Sequence, residues 1–153
     1  MPLDYDSIAE GDSLPTVQRR TSKLRILQFV GAGWMWNPAF FWDPESAADT
    51  GLAGPILPGP YKHALVQQYL MHWLGRISSL RRVQVSHRRP DLHSSELTFG
   101  GTITRKYEED GHRLADIEVF IDQESGERSV RGTVPPSSFS APGPSCDQRI
   151  RIR

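Results

Sequence analysis

The sequence predicts an α+β fold in which one long central helix is wrapped by a curled antiparallel sheet. Three observations lead to this prediction. A single strongly apolar helical segment lies mid-chain, strand-like segments separated by short turn sequences follow it, and no segment of the sequence repeats. The 153 residues are enough for one domain with a buried core.

The composition excludes several classes of protein. The 18 Lys and Arg residues balance the 18 Asp and Glu residues, so no net charge draws the chain to nucleic acid or to an anionic membrane. No apolar run reaches the roughly 18 residues that mark a membrane helix, and the acidic start lacks the order of a signal peptide. The single cysteine, Cys146, allows neither an internal disulfide nor a cysteine metal cluster. We therefore expect a cytoplasmic protein with no metal site and no nucleic-acid partner.

The N-terminal part predicts short elements. An extended segment at 16–21 precedes a short helix that Ser22 can cap and that Gly31 ends. An aromatic loop comes next. Asp43 then has the character of a helix cap, and Pro44 is favourable at the first helical position, so a second short helix is expected there.

The strongest helical segment covers residues 61–74. Its side chains are apolar on nearly every side, which is typical of a buried helix rather than one lying on a surface. His72, which has apolar neighbours, is accordingly expected to be buried and hydrogen-bonded.

The rest of the ordered chain predicts strands. The pair Gly100-Gly101 indicates a bulge or a strong bend within one of them. The predicted segments are 80–87, 93–107, 114–121 and 129–134, with turns at 109–111 and 124–126. A helix wrapped by such an antiparallel sheet is the hot-dog fold, which we assign to residues 1–134. Residues 135–153 are rich in Pro and Ser and are expected to form a disordered tail.

Several short motifs follow one another along the predicted domain. They are Gly-Asp-x-Leu-Pro at 11–15, Asn-Pro at 37–38, Asp-Pro-Glu-x-Ala at 43–47, and Gly-Pro-Ile at 54–56 shortly before Gly59. Together they resemble the MaoC-like hydratase/dehydratase family of the hot-dog superfamily. Residues 65–69 and 97–104 look most similar to small actinobacterial subunits that act on steroid side-chain acyl-CoA thioesters. The resemblance implies a role with α,β-unsaturated or 3-hydroxyacyl thioesters, without a cofactor.

The family's proton-handling pair is missing from this sequence. In the family, an Asp and a His five residues later activate water and move the proton. Anchored on Asp43, the family pattern puts Trp36 and Phe41 at these positions. Anchored on the Asn-Pro motif, it puts Met35 and Phe40 there. Loss of such groups costs roughly 10²–10⁴-fold in rate, so ordinary hydratase action by this chain alone is not expected.

Although the proton-handling pair is missing, the sequence keeps candidate residues for binding an acyl group. The resemblance implies that Trp34, Trp36, Phe40 and Phe41 line an aromatic pocket for a bulky acyl group. The alternative is that these rings fill a core or a dimer interface. Gly59 would present backbone N–H groups to the thioester oxygen at the start of the central helix, or be an ordinary Gly-Pro helix start.

Substitute catalytic groups are also available. His63 lies on the first turn of the central helix and can act as an acid or base, together with Asp43 or Tyr61, although a lone histidine there is more often a surface residue. The pairs Arg81-Arg82 and Arg88-Arg89 are candidates for contact with CoA phosphates, although solvated strand edges commonly carry such charges.

Two functional hypotheses follow. In the first, the chain is an acyl-thioester-binding subunit that lacks the catalytic pair and belongs to a heteromeric enoyl-CoA hydratase, with an intact MaoC-like subunit as its partner. In the second, it is a repurposed dehydratase, isomerase or cyclase that acts on a polyketide-like molecule in natural-product biosynthesis. A non-catalytic homodimer that binds a small acyl ligand is a third alternative. Homodimers and heterodimers, and CoA or a carrier protein as the thioester carrier, all stay open.

Overall fold

The computed structural model describes residues 5–33, 38–74, 80, 82–109 and 112–139. These residues form three α-helices and five strands, with short 3₁₀ turns at Tyr5–Ser7 and Ala39–Phe41. The helices are α1 (Lys23–Ala32), α2 (Pro44–Asp49) and α3 (Gly59–Leu74), and the strands are β1 (Ser13–Arg20), β2 (Gln84–His87), β3 (Glu96–Glu109), β4 (His112–Gln123) and β5 (Arg128–Phe139). Among the described residues, none of the helices combines the length and apolar character that crossing a membrane requires.

The strands form one five-stranded sheet in the order β1-β3-β4-β5-β2. All four pairings between neighbouring strands are antiparallel. The core lies between this sheet and α3, and it includes Leu70, Phe99, Ile117 and Val134. The predicted α+β arrangement, one central helix against an antiparallel sheet, is therefore present.

Only one face of α3 is buried. That face carries mostly apolar side chains together with one charged residue: Lys62, Leu65, Val66, Tyr69, Leu70 and Leu74. The opposite face is exposed at Ala64, Gln67, Gln68 and His72. The expectation of a helix buried on all sides was wrong, because the sheet covers a single side of it. The expectation of a buried His72 was wrong as well, since its ring lies edge-on to Trp73 at a centroid distance of 4.9 Å on the exposed side.

The glycine pair in β3 has a different structural role from the predicted one. Gly100 pairs regularly with Phe120 in β4. The register irregularities lie nearby, in β1 between Leu14 and Val17 and in β3 between Ile103 and Arg105. A Cβ atom on Gly100 would lie 2.2 Å from Cζ of Phe120. The glycine therefore makes room for the aromatic ring on the neighbouring strand.

The last strand continues past the predicted domain end at Val134. It reaches Phe139, and Ser137 and Ser138 pair with Ala115 and Leu114 of β4. The two prolines at 135–136 coincide with a register irregularity, where the missing N–H of proline is tolerated. The remainder of the predicted tail, residues 140–153, lies outside the described residues.

Candidate functional site

The N-terminus of α3 lies against a histidine that comes from a distant part of the chain. A Cβ atom on Gly59 would lie 3.2 Å from Nε2 of His87, so the ring of His87 packs directly on the glycine. A depression of about 450 Å³ opens here and is lined by Gly59, Pro60, His63, Ala64, Gln67 and His87. The predicted residues His63 and Gly59 are therefore brought together, with His87 as an unpredicted third member.

The surroundings of His87 favour its neutral form. Partial burial lowers the pKa of His87, and the positive charge of Lys62 and the neighbouring His63 lower it further, against the opposing effect of Asp91. A neutral imidazole can accept a proton from a ligand at the start of α3. No local pattern in the sequence marks His87 for this role, because the contact joins β2 to α3 across a long stretch of chain.

A buried ion pair fixes the segment that follows His87. Nζ of Lys62 lies 2.9 Å from Oδ2 of Asp91, and both side chains are almost completely buried. Lys62 also donates to the backbone carbonyl of Arg89 at 2.9 Å, and Gln123 donates to Oδ1 of Asp91 at 2.6 Å. These bonds hold the chain after β2 against the first turn of α3, and so help to keep His87 near Gly59.

Asp43 is committed to a structural role. As predicted, it caps α2, with Pro44 in the first turn. Its Oδ2 accepts hydrogen bonds from the backbone N–H of Ser46 at 2.8 Å and from the Ser46 hydroxyl at 2.6 Å. These bonds lower the pKa of Asp43, so the carboxylate stays ionised. No hydrogen bond joins Asp43 to His63.

Tyr61 contacts α1, and the aromatic segment, of which residues 38–42 are described, contacts the chain that leads into α3. Tyr61 is partly buried and lies edge-on to Phe29 at a centroid distance of 5.1 Å. Phe40 and Phe41 stack edge-to-face at 4.7 Å, and Phe41 packs against the hydrophobic core. The backbone carbonyl of Phe40 accepts a hydrogen bond from the N–H of Ile56, which ties the aromatic segment to the chain leading into α3. The other two predicted pocket residues, at 34 and 36, lie outside the described residues.

His93 is a second histidine that the sequence did not single out for this site. Both of its ring nitrogens are buried and make no hydrogen bond among the described residues. Burial lowers the pKa of His93, although the nearby backbone of Phe41 and Ile56 partly favours the protonated form. A neutral ring therefore lies under the aromatic segment. Among the described residues, no group of three or more potential metal ligands clusters together.

Comparison with solved structures identifies the fold. The chain resembles a chain of the ChsH1-ChsH2 complex from Mycobacterium tuberculosis, with 22% identity, a TM-score of 0.72, and coverage of 85% of this chain and 98% of that one. It resembles the MaoC-like dehydratase from Rhodospirillum rubrum with 19% identity, a TM-score of 0.74, and coverage of 88% and 94%. It also resembles a chain of the C-terminally truncated HadBC (3R-hydroxyacyl-ACP dehydratase) complex from Mycobacterium tuberculosis, with 16% identity, a TM-score of 0.68, and coverage of 89% and 98%.

These likenesses confirm the predicted hot-dog fold, and the structural neighbours include the MaoC-like proteins that the sequence motifs resemble. At such identities they establish the fold alone. No family model and no curated protein matches the sequence.

Proposed function

We propose that the chain is an acyl-thioester-binding hot-dog subunit that works with an intact MaoC-like subunit in a heteromeric enoyl-CoA hydratase for a bulky acyl group. In this proposal the chain shapes the binding site, and the partner supplies the Asp and His that move protons. The start of α3, at Gly59, would face the thioester oxygen, since the positive end of a helix dipole favours a developing negative charge.

The observation that carries the proposal is the Phe40–Phe41 pair. One or other of these rings occupies the position that the resemblance gives to the proton-handling histidine, and a phenyl ring transfers no proton. Asp43 offers no replacement, because both of its described hydrogen bonds serve as a helix cap. The aromatic segment therefore supports binding of an apolar group and leaves the chemistry to another chain.

The structural neighbours and the edges of the sheet both support a partner subunit. Two of the three neighbours described above are named as complexes of two proteins, and this chain matches 98% of a chain in each of them. The sheet has two outer strands, β1 and β2, whose outer backbone groups are free of pairing within the described sheet. Such edges are available for pairing with a second hot-dog sheet.

Activity measurements with and without a partner test this proposal. The purified chain should bind a bulky enoyl-CoA in calorimetry yet show no hydration above background, and hydration should appear when an intact MaoC-like partner is added. Replacing the partner's Asp and His with Asn and Gln should abolish that activity while leaving the complex intact. Enzyme-like hydration by the isolated chain would overturn the proposal.

A second candidate function has its own supporting observation. His63 and His87 line one depression beside Gly59, which favours a repurposed dehydratase, isomerase or cyclase in which these rings move protons. On a polyketide-like substrate, His63→Gln and His87→Gln should each lower the rate by about 10²–10⁴-fold. Gln67→Ala, in the same depression, is the matched control. Full activity of both histidine variants would remove this candidate.

A further inference from the structure

A basic groove runs along the exposed face of α3. Its walls are the end of β1, the start of α1, and α3 itself, and they enclose about 960 Å³. Three arginines line it, namely Arg19, Arg20 and Arg25, together with the aromatic rings of Phe29 and Tyr61. The three arginines lie within seven residues of one another in the sequence, and folding places them against the exposed face of α3, where Arg19 contacts Gln68.

Within the described part of the chain, the three guanidinium groups have no carboxylate partner. None of them forms an ion pair with a described residue, and Arg19 donates instead to the neutral side-chain oxygen of Gln68. Glu96 stands opposite Arg20 in the β1–β3 register but makes no ion pair with it. Four other arginines are paired with carboxylates, at Arg89–Glu127, Arg113–Asp6, Arg128–Asp122 and Arg131–Glu118. Arg82, Arg88 and Arg105 also form no ion pair with a described residue, but they do not line this groove. Unpaired arginines that line one groove are suited to an anion, and above all to phosphate.

The groove is continuous with the depression at Gly59. The two share Ala64 and Gln67 as lining residues. Gln68, which holds Arg19, lies nine positions after Gly59 on α3, which corresponds to about 14 Å along the helix axis. A pantetheine arm has roughly the backbone length of four extended residues, or about 14 Å. A thioester carbonyl at Gly59 would therefore put the phosphates of its carrier among the arginines.

The far end of the groove opens into an apolar pocket of about 400 Å³. The pocket shares Arg19, Leu65, Gln68 and Met71 with the groove, and its other lining residues are Val17, Tyr69, His72 and Phe99. A flat heterocyclic base attached to the phosphates fits this apolar, aromatic-lined space.

We propose that the groove of Arg19, Arg20 and Arg25 binds the diphosphate of coenzyme A, with the nucleotide base in the adjoining apolar pocket. This inference rests on the proposed thioester-binding function. It puts the phosphate contact at these arginines rather than at Arg88-Arg89, since neither of those two lines the groove and Arg89 is paired with Glu127. The occupant is a free nucleotide carrier rather than an acyl carrier protein, because the apolar pocket beyond the arginines matches a base.

Calorimetry with three probes tests the groove: cholyl-CoA, cholyl-pantetheine, which lacks the phosphates and the base, and adenosine 3′,5′-bisphosphate. In the triple variant Arg19→Gln, Arg20→Gln, Arg25→Gln, affinity for cholyl-CoA should fall at least 100-fold, on the basis of about tenfold per charge-assisted contact. Affinity for cholyl-pantetheine should stay within about twofold, since a neutral arm makes no charge-assisted contact with these arginines. The loss should shrink at high salt, because exposed charges are screened.

The matched control is the double variant Arg88→Gln, Arg89→Gln, which should leave all three affinities unchanged. Circular dichroism and the three single arginine variants check that the fold is intact.

The proposed phosphate site in the groove is overturned if cholyl-CoA and cholyl-pantetheine bind equally well to the wild-type chain. It is also overturned if the control variant loses affinity instead of the triple variant. The proposed thioester-binding function survives either result. Binding of the bisphosphate that depends on the arginines, without binding of any thioester, supports the groove and overturns the thioester function. If none of the probes binds, both are overturned. A requirement for these arginines with a carrier-protein thioester, but not with cholyl-CoA, overturns coenzyme A as the occupant.

Discussion

The two faces of α3 differ sharply in composition. The buried face packs Leu65, Val66 and Leu70 against the sheet, where apolar burial stabilises the fold. The exposed face presents small and polar side chains such as Ala64 and Gln67 to the depression and the basic groove. The difference indicates that one face of this helix supplies stability, whereas the other lines the depression and the groove proposed above to bind ligands.

Lys62 is the exception on the buried face. A charged group there loses its hydration, and the cost is offset only because Asp91 pairs with it and Arg89 and Gln123 add hydrogen bonds. This network connects the two faces, since it fixes the segment after His87, whose ring lies against Gly59 on the ligand side. Two experiments separate the contributions of the two faces, and a third tests the buried ring of His93 outside this helix.

The largest effect is expected at the ion pair. Asp91→Ala leaves the ammonium group of Lys62 buried without a counter-charge and should lower the free energy of unfolding by about 3–5 kcal/mol, measured by urea denaturation. The double variant Lys62→Met, Asp91→Leu removes both charges and should recover most of that loss. If Asp91→Ala cost less than about 1 kcal/mol, a surface ion pair would describe this contact better than a buried one.

The next largest effect on the free energy of unfolding is expected when a side chain of α3 is shortened, and its size should depend on which face of the helix carries that side chain. Leu70 is fully buried, so Leu70→Ala should cost about 2–5 kcal/mol of unfolding free energy. Gln67→Ala on the exposed face should change it by no more than about 0.5 kcal/mol. Equal losses at the two positions would show that the exposed face is covered in solution, as it would be in an oligomer.

The smallest effect is a pH dependence that comes from His93. Its pKa is lowered in the folded state, so at pH values below its ordinary value of about 6.5 the unfolded chain binds a proton that the folded ring does not. The stability from the neutral ring is present above that value and decreases as the pH falls towards the folded-state pKa. His93→Phe should therefore flatten the fall in unfolding free energy between pH 7.5 and pH 5, whereas Gln67→Ala, which removes no ionisable group, should leave the slope unchanged. An unchanged slope in His93→Phe would contradict the inference.

Local features of the fold were predictable because each depends on a few neighbouring residues. The helix predicted at 61–74 is α3, which begins slightly earlier at Gly59. The cap at Asp43 and the turn at 124–126, where Gly126 has a φ of 82°, also follow from short-range chemistry. The irregularity expected at Gly100 lies instead on the neighbouring strand β1 and further along β3, because the fit between strands depends on both of them.

The candidate site was only partly predictable, because some of its residues meet only through contacts between distant parts of the chain. The sequence pointed to Gly59, His63 and the aromatic pair Phe40–Phe41, and the structure places His63 beside Gly59. It gave no indication of His87, which comes from an edge strand. For a phosphate contact it offered the arginine pairs beside that strand only as candidates, against the commoner case of a solvated strand edge, and Arg89 is paired with Glu127.

The sequence by itself therefore determined the order of helices and strands, the apolar character of α3 and the cap at Asp43. Only the tertiary structure decided which face of α3 is buried and which distant side chains meet: His87 with Gly59, Lys62 with Asp91, and Arg19 with Gln68. The physical reason is distance along the chain. Periodicity, caps and turns arise from contacts within a few residues, whereas these groupings exist only when the sheet brings residues that are far apart in sequence against the same helix.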